Sequence, residues 1–97
     1  MNQQVKFQRA LMLADRKQFE KAEALLREVV EADPTTVVGC QAAVALGELV
    51  SFADPDAAQN ILDAAVENMT PHADNPVLDW ERQRVEELFA EIAEADA

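Results

Sequence analysis

Tyrosine is missing from this chain of 97 residues, cysteine occurs once, glycine twice and proline four times. With so few breakers, and with Ala, Leu, Glu, Gln and Arg dominant, the composition leans strongly towards helix. The single cysteine, Cys40, cannot close a disulfide within the chain. Set among Val37, Val38, Ala42 and Ala43, it reads as a buried small hydrophobe rather than a nucleophile. The longest mostly apolar run, Val37 to Val50, falls short of the roughly 20 residues a membrane span requires. Asn2, Gln3 and Gln4 stand where a signal peptide would carry basic and then apolar residues. These features point to a cytoplasmic protein.

Positive charge is the next scarcity. No Lys or Arg occurs between Arg27 and Arg82. Residues 1–33 balance six basic groups against six acidic ones, whereas residues 34–97 set Arg82 and Arg84 against thirteen acidic groups, which carries the whole net charge of −11. Such a field repels nucleic acid and anionic membranes and attracts basic partners. An acidic excess with few lysines is also a solubility adaptation to salty cytoplasm, and composition does not separate the two readings.

Signals for catalysis are equally sparse. Gly39 and Gly47 make no phosphate-binding loop. His72 is the one histidine, and although Asp74 is near, no nucleophile is placed by motif beside it, so it reads as a solvated loop residue rather than a general base. Glu87, Glu91 and Glu94 share a helical face and read as solvated charge rather than a cation site. No catalytic residue, metal or cofactor is expected, and the chain is not read as an enzyme.

What remains is helical periodicity and capping. A first helix is expected over about Gln3 to Asp15 and a second over about Lys17 to Ala32, with Phe19, Ala22, Leu25, Leu26, Val29 and Val30 as its buried stripe. Asp33-Pro34 stops the second. A third, about Thr36 to Ala53, is apolar on nearly all sides and should be central. Gln41 and Glu48, seven residues apart, fall on its one open strip. A fourth begins at Asp54 as N-cap followed by Pro55, and buries Ala58, Ile61, Leu62, Ala65, Val66 and Met69. After a polar loop, Thr70 to Asn75, a fifth begins at Asn75-Pro76, with Leu78, Val85, Leu88, Phe89 and Ile92 inward and Trp80 as an anchor near its start.

Residues 3–36 resemble one tetratricopeptide repeat, a 34-residue helix–turn–helix unit, through Phe19, Ala22, Leu25, Leu26, Val29, Val30, Asp33 and Pro34, with Ala10 at the close helix crossing. Lys6 and Arg9 replace large residues usual in the family's first helix, and Val29 stands where alanine is usual. Residues 37–70 repeat the pattern with an inferred two-residue insertion near Ser51 to Ala53. Residues 76–95 would be the capping helix. The resemblance implies one all-α domain, 1–97, folded as a right-handed stack of two antiparallel helix pairs plus a C-terminal cap.

The family's groove positions, carried over, are Gln4, Phe7, Gln8, Leu11 and Asp15 from the first repeat and Val38, Gln41, Ala45 and Glu48 from the second. The resemblance therefore implies a protein-interaction module, an adaptor or co-chaperone, that holds a basic or amphipathic peptide or helix. Phe7 and Leu11 would anchor it, Gln8 and Gln41 would hydrogen-bond, and Asp15 and Glu48 would form acidic rims. The competing expectation is that the last helix covers Phe7 and Leu11. Some members clamp a C-terminal carboxylate with Lys, Arg and Asn, but the matching positions here are Phe7, Leu11 and Ala42, so chaperone tails are not expected. Two other functions compete: an acidic decoy for a basic partner, mimicking nucleic acid, and a scaffold that self-associates, with a homodimer as its simplest form.

Overall fold

The computed structural model describes residues 2–95 of the domain and, among these, forms helices and no strand: α1 (Gln3–Asp15), α2 (Phe19–Ala32), α3 (Val37–Ser51), α4 (Pro55–Met69) and α5 (Asp79–Ala95), with short 3₁₀ turns at Thr70–His72 and Pro76–Leu78. Each α-helix starts or stops for a local reason. Asn2, Thr36 and Asp54 accept the backbone N–H groups of Val5, Gly39 and Ala57. These side chains satisfy donors that a helix N-terminus leaves free.

The α1–α2 turn accounts for a difference from the sequence reading. Lys17 adopts φ 64°, its N–H donates to the Ala14 carbonyl, and that of Gln18 donates to the Leu13 carbonyl. This pair of bonds is a Schellman close, which needs a left-handed residue just past the helix end. Lys17 therefore terminates α1, and α2 starts at Phe19. At the other end of α2, the Asp33 carboxylate accepts from both the Thr35 amide and its hydroxyl. Those bonds hold its pKa below the usual carboxylate value.

α3 is the hub. It packs on α4, α2, α5 and α1, while α1 also packs on α2 and α4 on α5. The order places α1, α3 and α5 side by side. On the opposite side α2 and α4 are separated by a hollow floored by Ala43 and Leu46. The described chain measures 42 × 34 × 19 Å, so it is about two helix diameters thick. Eight residues of α3 are buried, including Cys40, Ala42, Ala43 and Val44. Cys40 is fully buried and its thiol lies 3.7 Å from the Pro34 carbonyl.

Three residues expected in buried stripes or as an anchor are instead open to solvent. Phe19, in the first turn of α2, is 50% exposed. Val66 faces a cleft that α5 does not fill. Trp80 is 63% exposed and does not anchor the last helix. The buried stripe there is Leu78, Glu81, Val85, Leu88 and Ile92, a series at three- and four-residue steps that leaves Trp80 on the outer side.

Close packing around α3 depends on its glycines. A Cβ at Gly39 would lie 2.2 Å from the Asp33 carbonyl oxygen and 3.1 Å from the Pro34 carbonyl carbon. Those are backbone atoms, and they cannot step aside as a side-chain tip can. Gly39→Ala is therefore expected to destabilise the fold by about 2 kcal/mol, despite a gain of about 1 kcal/mol in helix propensity. Thermal unfolding followed by circular dichroism checks this, and an unchanged or raised Tm would refute it.

Candidate functional site

The part of α3 left half-exposed includes Val38, Gln41, Ala45 and Glu48, which recur at three- and four-residue steps and so share one face. The helix is otherwise largely enclosed, so this strip is a large part of what it offers to solvent. On neighbouring α1, Gln4, Gln8, Leu11 and Asp15 are exposed, with Leu11 40% accessible. Phe7 is half-buried and packs against the core. It is therefore in part a structural side chain, whereas Leu11 is a free apolar one.

Glu48 has a partner. Nε of Arg84 on α5 donates to Glu48 Oε1 at 2.9 Å, while its Nη1 reaches Glu87 at 3.0 Å and Glu91 at 2.9 Å. Glu48 first, then Glu87 and Glu91, hold the guanidinium still more firmly protonated than an ordinary arginine. Two of the glutamates read as a solvated face are thus clamped to a cation. The acidic rim expected at Glu48 is also the point where the last helix ties down on the strip. Leu11, on α1, remains exposed.

His72 is not a solvated loop residue. It is half-buried, and its Nε2 lies 2.7 Å from the Thr35 carbonyl. Its own carbonyl accepts from Nη2 of Arg82, whose Nη1 donates to the Asn75 carbonyl and the Asp79 carboxylate. The histidine and both arginines beyond Arg27 therefore fasten the last helix to the α2–α3 turn, to the loop before it and to α3. Sequence reading missed these roles because the deciding pairings, His72 with Thr35 and Arg84 with Glu48, lie 37 and 36 residues apart. Glu81 was legible in principle, since it fills the gap between Leu78 and Val85 in the buried stripe.

Glu81 is 8% exposed, and its Oε1 is buried without a hydrogen-bond partner. Burial pushes its pKa up, against the opposing pull of its own backbone amide and of Arg82. Among the described residues no group of three or more His, Cys, Asp or Glu side chains is arranged to hold a metal ion, and no helix is long and apolar enough to cross a membrane. Apolar hollows lie away from the strip: one between α4 and α5, and one between α2 and α4 over α3.

No family model matches this chain, and no curated protein or solved structure matches it either.

Two outcomes follow from the α5 attachments. Arg84→Met removes the α3–α5 ion network while keeping an apolar stem, and is expected to cost about 1 kcal/mol, the value of a half-exposed network rather than of a buried pair. That loss should lower Tm by about 4–8 °C and shrink in high salt, as scanning calorimetry at two ionic strengths would show. For Glu81 the sign runs the other way. Its folded pKa is raised, so the native state is most favoured below the unfolded carboxylate pKa and loses that advantage as pH rises through the folded value. Glu81→Met should therefore raise Tm at pH 7, by a margin of about 1 kcal/mol for relieving a buried unpaired polar atom, and the gain should shrink at pH 4. A gain that grows on acidification would contradict this account.

Proposed function

We propose that this chain is a tetratricopeptide-like interaction module, and that it binds a segment of another protein along the surface shared by α1 and α3. The observation that carries the reading is the contact order of the helices. α1 touches α3 and α3 touches α5, while each also packs on its sequence neighbour. Side-by-side packing of alternate helices is what a stack of helix pairs requires, and it supports reading the groove positions implied by the resemblance as one surface.

Leu11 supplies an exposed apolar contact, and Gln4, Gln8 and Gln41 supply amides able to donate and accept hydrogen bonds to an extended or helical backbone. Asp15 is exposed at the end of α1 and favours a cationic segment. Glu48, paired with Arg84 at the α5 side of the strip, fixes the strip's boundary rather than offering a free charge.

Capture from a lysate of the source organism tests the proposal, using the native chain beside Leu11→Ser combined with Gln41→Ala. Neither residue belongs to the buried core, so both chains should unfold at similar temperatures. A partner retained by the native chain and reduced about tenfold or more by the double variant, as expected for losing an apolar anchor and a hydrogen bond, would support the strip as the working surface. Equal capture by both would sink it.

A further inference from the structure

The helices pack in a regular order, and among the described residues the cleft beside α4 and α5 is open. α3 rests on α1 and α2, and α5 rests on α3 and α4. The cleft between α4 and α5 is the next position in that series. It encloses about 520 Å³ and is lined by Val66, Met69, Val85 and Phe89, with Glu86 at its side and Arg82 at its end. Val66 is 43% exposed there, although its spacing along α4 is that of a core residue.

We propose that this cleft is a second docking surface, separate from the α1–α3 strip, and that its occupant is a cationic amphipathic helix of another protein. The apolar floor requires an apolar stripe at helical spacing. The charge around it requires the rest of the helix to be basic. Glu86 borders the cleft, and Asp63 and Glu67 flank Val66 at three residues and one residue along α4. Among the described residues none of these three carboxylates pairs with a Lys or Arg. Arg82, the cation at the cleft, is already held by the His72 and Asn75 carbonyls and by Asp79. A second copy of the chain is a poor occupant, because a two-fold contact would set the same unpaired carboxylates against one another.

The probe is a fluorescently labelled peptide of about 18 residues, with leucines at helical i, i+3, i+4, i+7 spacing and lysines elsewhere, titrated with the full chain and followed by anisotropy. A peptide of the same composition with its leucines scattered is the control. Expected are saturable binding of the amphipathic peptide and about tenfold weaker binding by Val66→Asp, a loss larger than any produced by Leu11→Ser. Sedimentation of the native chain alone should give a monomer mass.

Several results would overturn the proposal. Equal binding of the scattered peptide would mean attraction by net charge alone. Binding lost in Leu11→Ser and kept in Val66→Asp would place the peptide on the α1–α3 strip. A dimer mass that Val66→Asp reduces to the monomer would give the cleft to a second copy. The Val66→Asp chain must keep the native melting temperature, and should it not, Glu86→Lys at the exposed cleft edge supplies the same comparison.

Discussion

Everything in this fold is referred to one apolar helix. α3 is contacted by every other α-helix, and it meets them closely because its surface is made of small residues. Gly39 lets the α2–α3 turn lie on its first turn, and Gly47 lets Leu62 of α4 come so near that a Cβ would sit 2.5 Å from the Leu62 Cδ2. Ala42 and Ala43 are buried between these points. Small side chains bury little apolar area themselves. Their contribution is to bring larger ones together: Leu26 and Val29 from α2, Leu62 and Met69 from α4, and Val85 and Leu88 from α5 all join one core. The same enclosure dictates what α3 can show. Since most of its other sides are taken, the strip at Val38, Gln41, Ala45 and Glu48 is a large part of what this helix offers to solvent.

The helices are not all held by the same physics. The α1–α4 portion is joined chiefly by apolar packing and by turns closed with local hydrogen bonds. α5 and the 3₁₀ turn before it bury Leu78, Val85, Leu88 and Ile92, but α5 also depends on polar bonds to other elements. Arg84 reaches Glu48, Arg82 reaches the His72 carbonyl, and the His72 ring meets the Thr35 carbonyl. Glu81 works against this attachment, as a carboxyl placed within the buried stripe with one oxygen unpartnered. An unmatched polar group in an interface costs more than a matched one returns. The docking of the last helix is therefore more sensitive to salt and pH than the packing of the first four.

Much of the architecture was legible in the sequence. Asp54-Pro55 gave the start of α4, because an N-cap and a following proline act within one turn, whereas the same signal at Asn75-Pro76 opens only a 3₁₀ turn and α5 itself begins at Asp79. The all-round apolar character of α3 identified the hub for the same reason that it is one. Failures came where an outcome depends on what lies opposite. Phe19, Val66 and Trp80 each occupy positions that read as buried or anchoring, and each is exposed because no neighbour reaches it. Lys17 reads as helical, yet it takes the left-handed place that the turn demands. His72 looks unpartnered along the chain, since its partner is 37 residues away. Glu48 was legible as a polar break in α3, but nothing near it in sequence announces Arg84.

Charge distribution then takes on a structural sense. Past Arg27 the chain has two cations, and both are engaged in holding α5, by salt bridges and, for Arg82, by loop carbonyls. Apart from the buried Glu81, the remaining carboxylates of α4 and α5, Asp56, Asp63, Glu67, Glu86 and Glu94, are exposed and form no salt bridge among the described residues. Placing the scarce cations at helix junctions and the anions outside has two consequences at once. It spares the fold some of the repulsion that a charge of −11 would impose, since the Arg84 network neutralises carboxylates where α3 and α5 meet. It also leaves the open face between α4 and α5 negative around an apolar floor. That combination favours a cationic partner over a second copy, and the bias follows from where two arginines sit rather than from net charge alone.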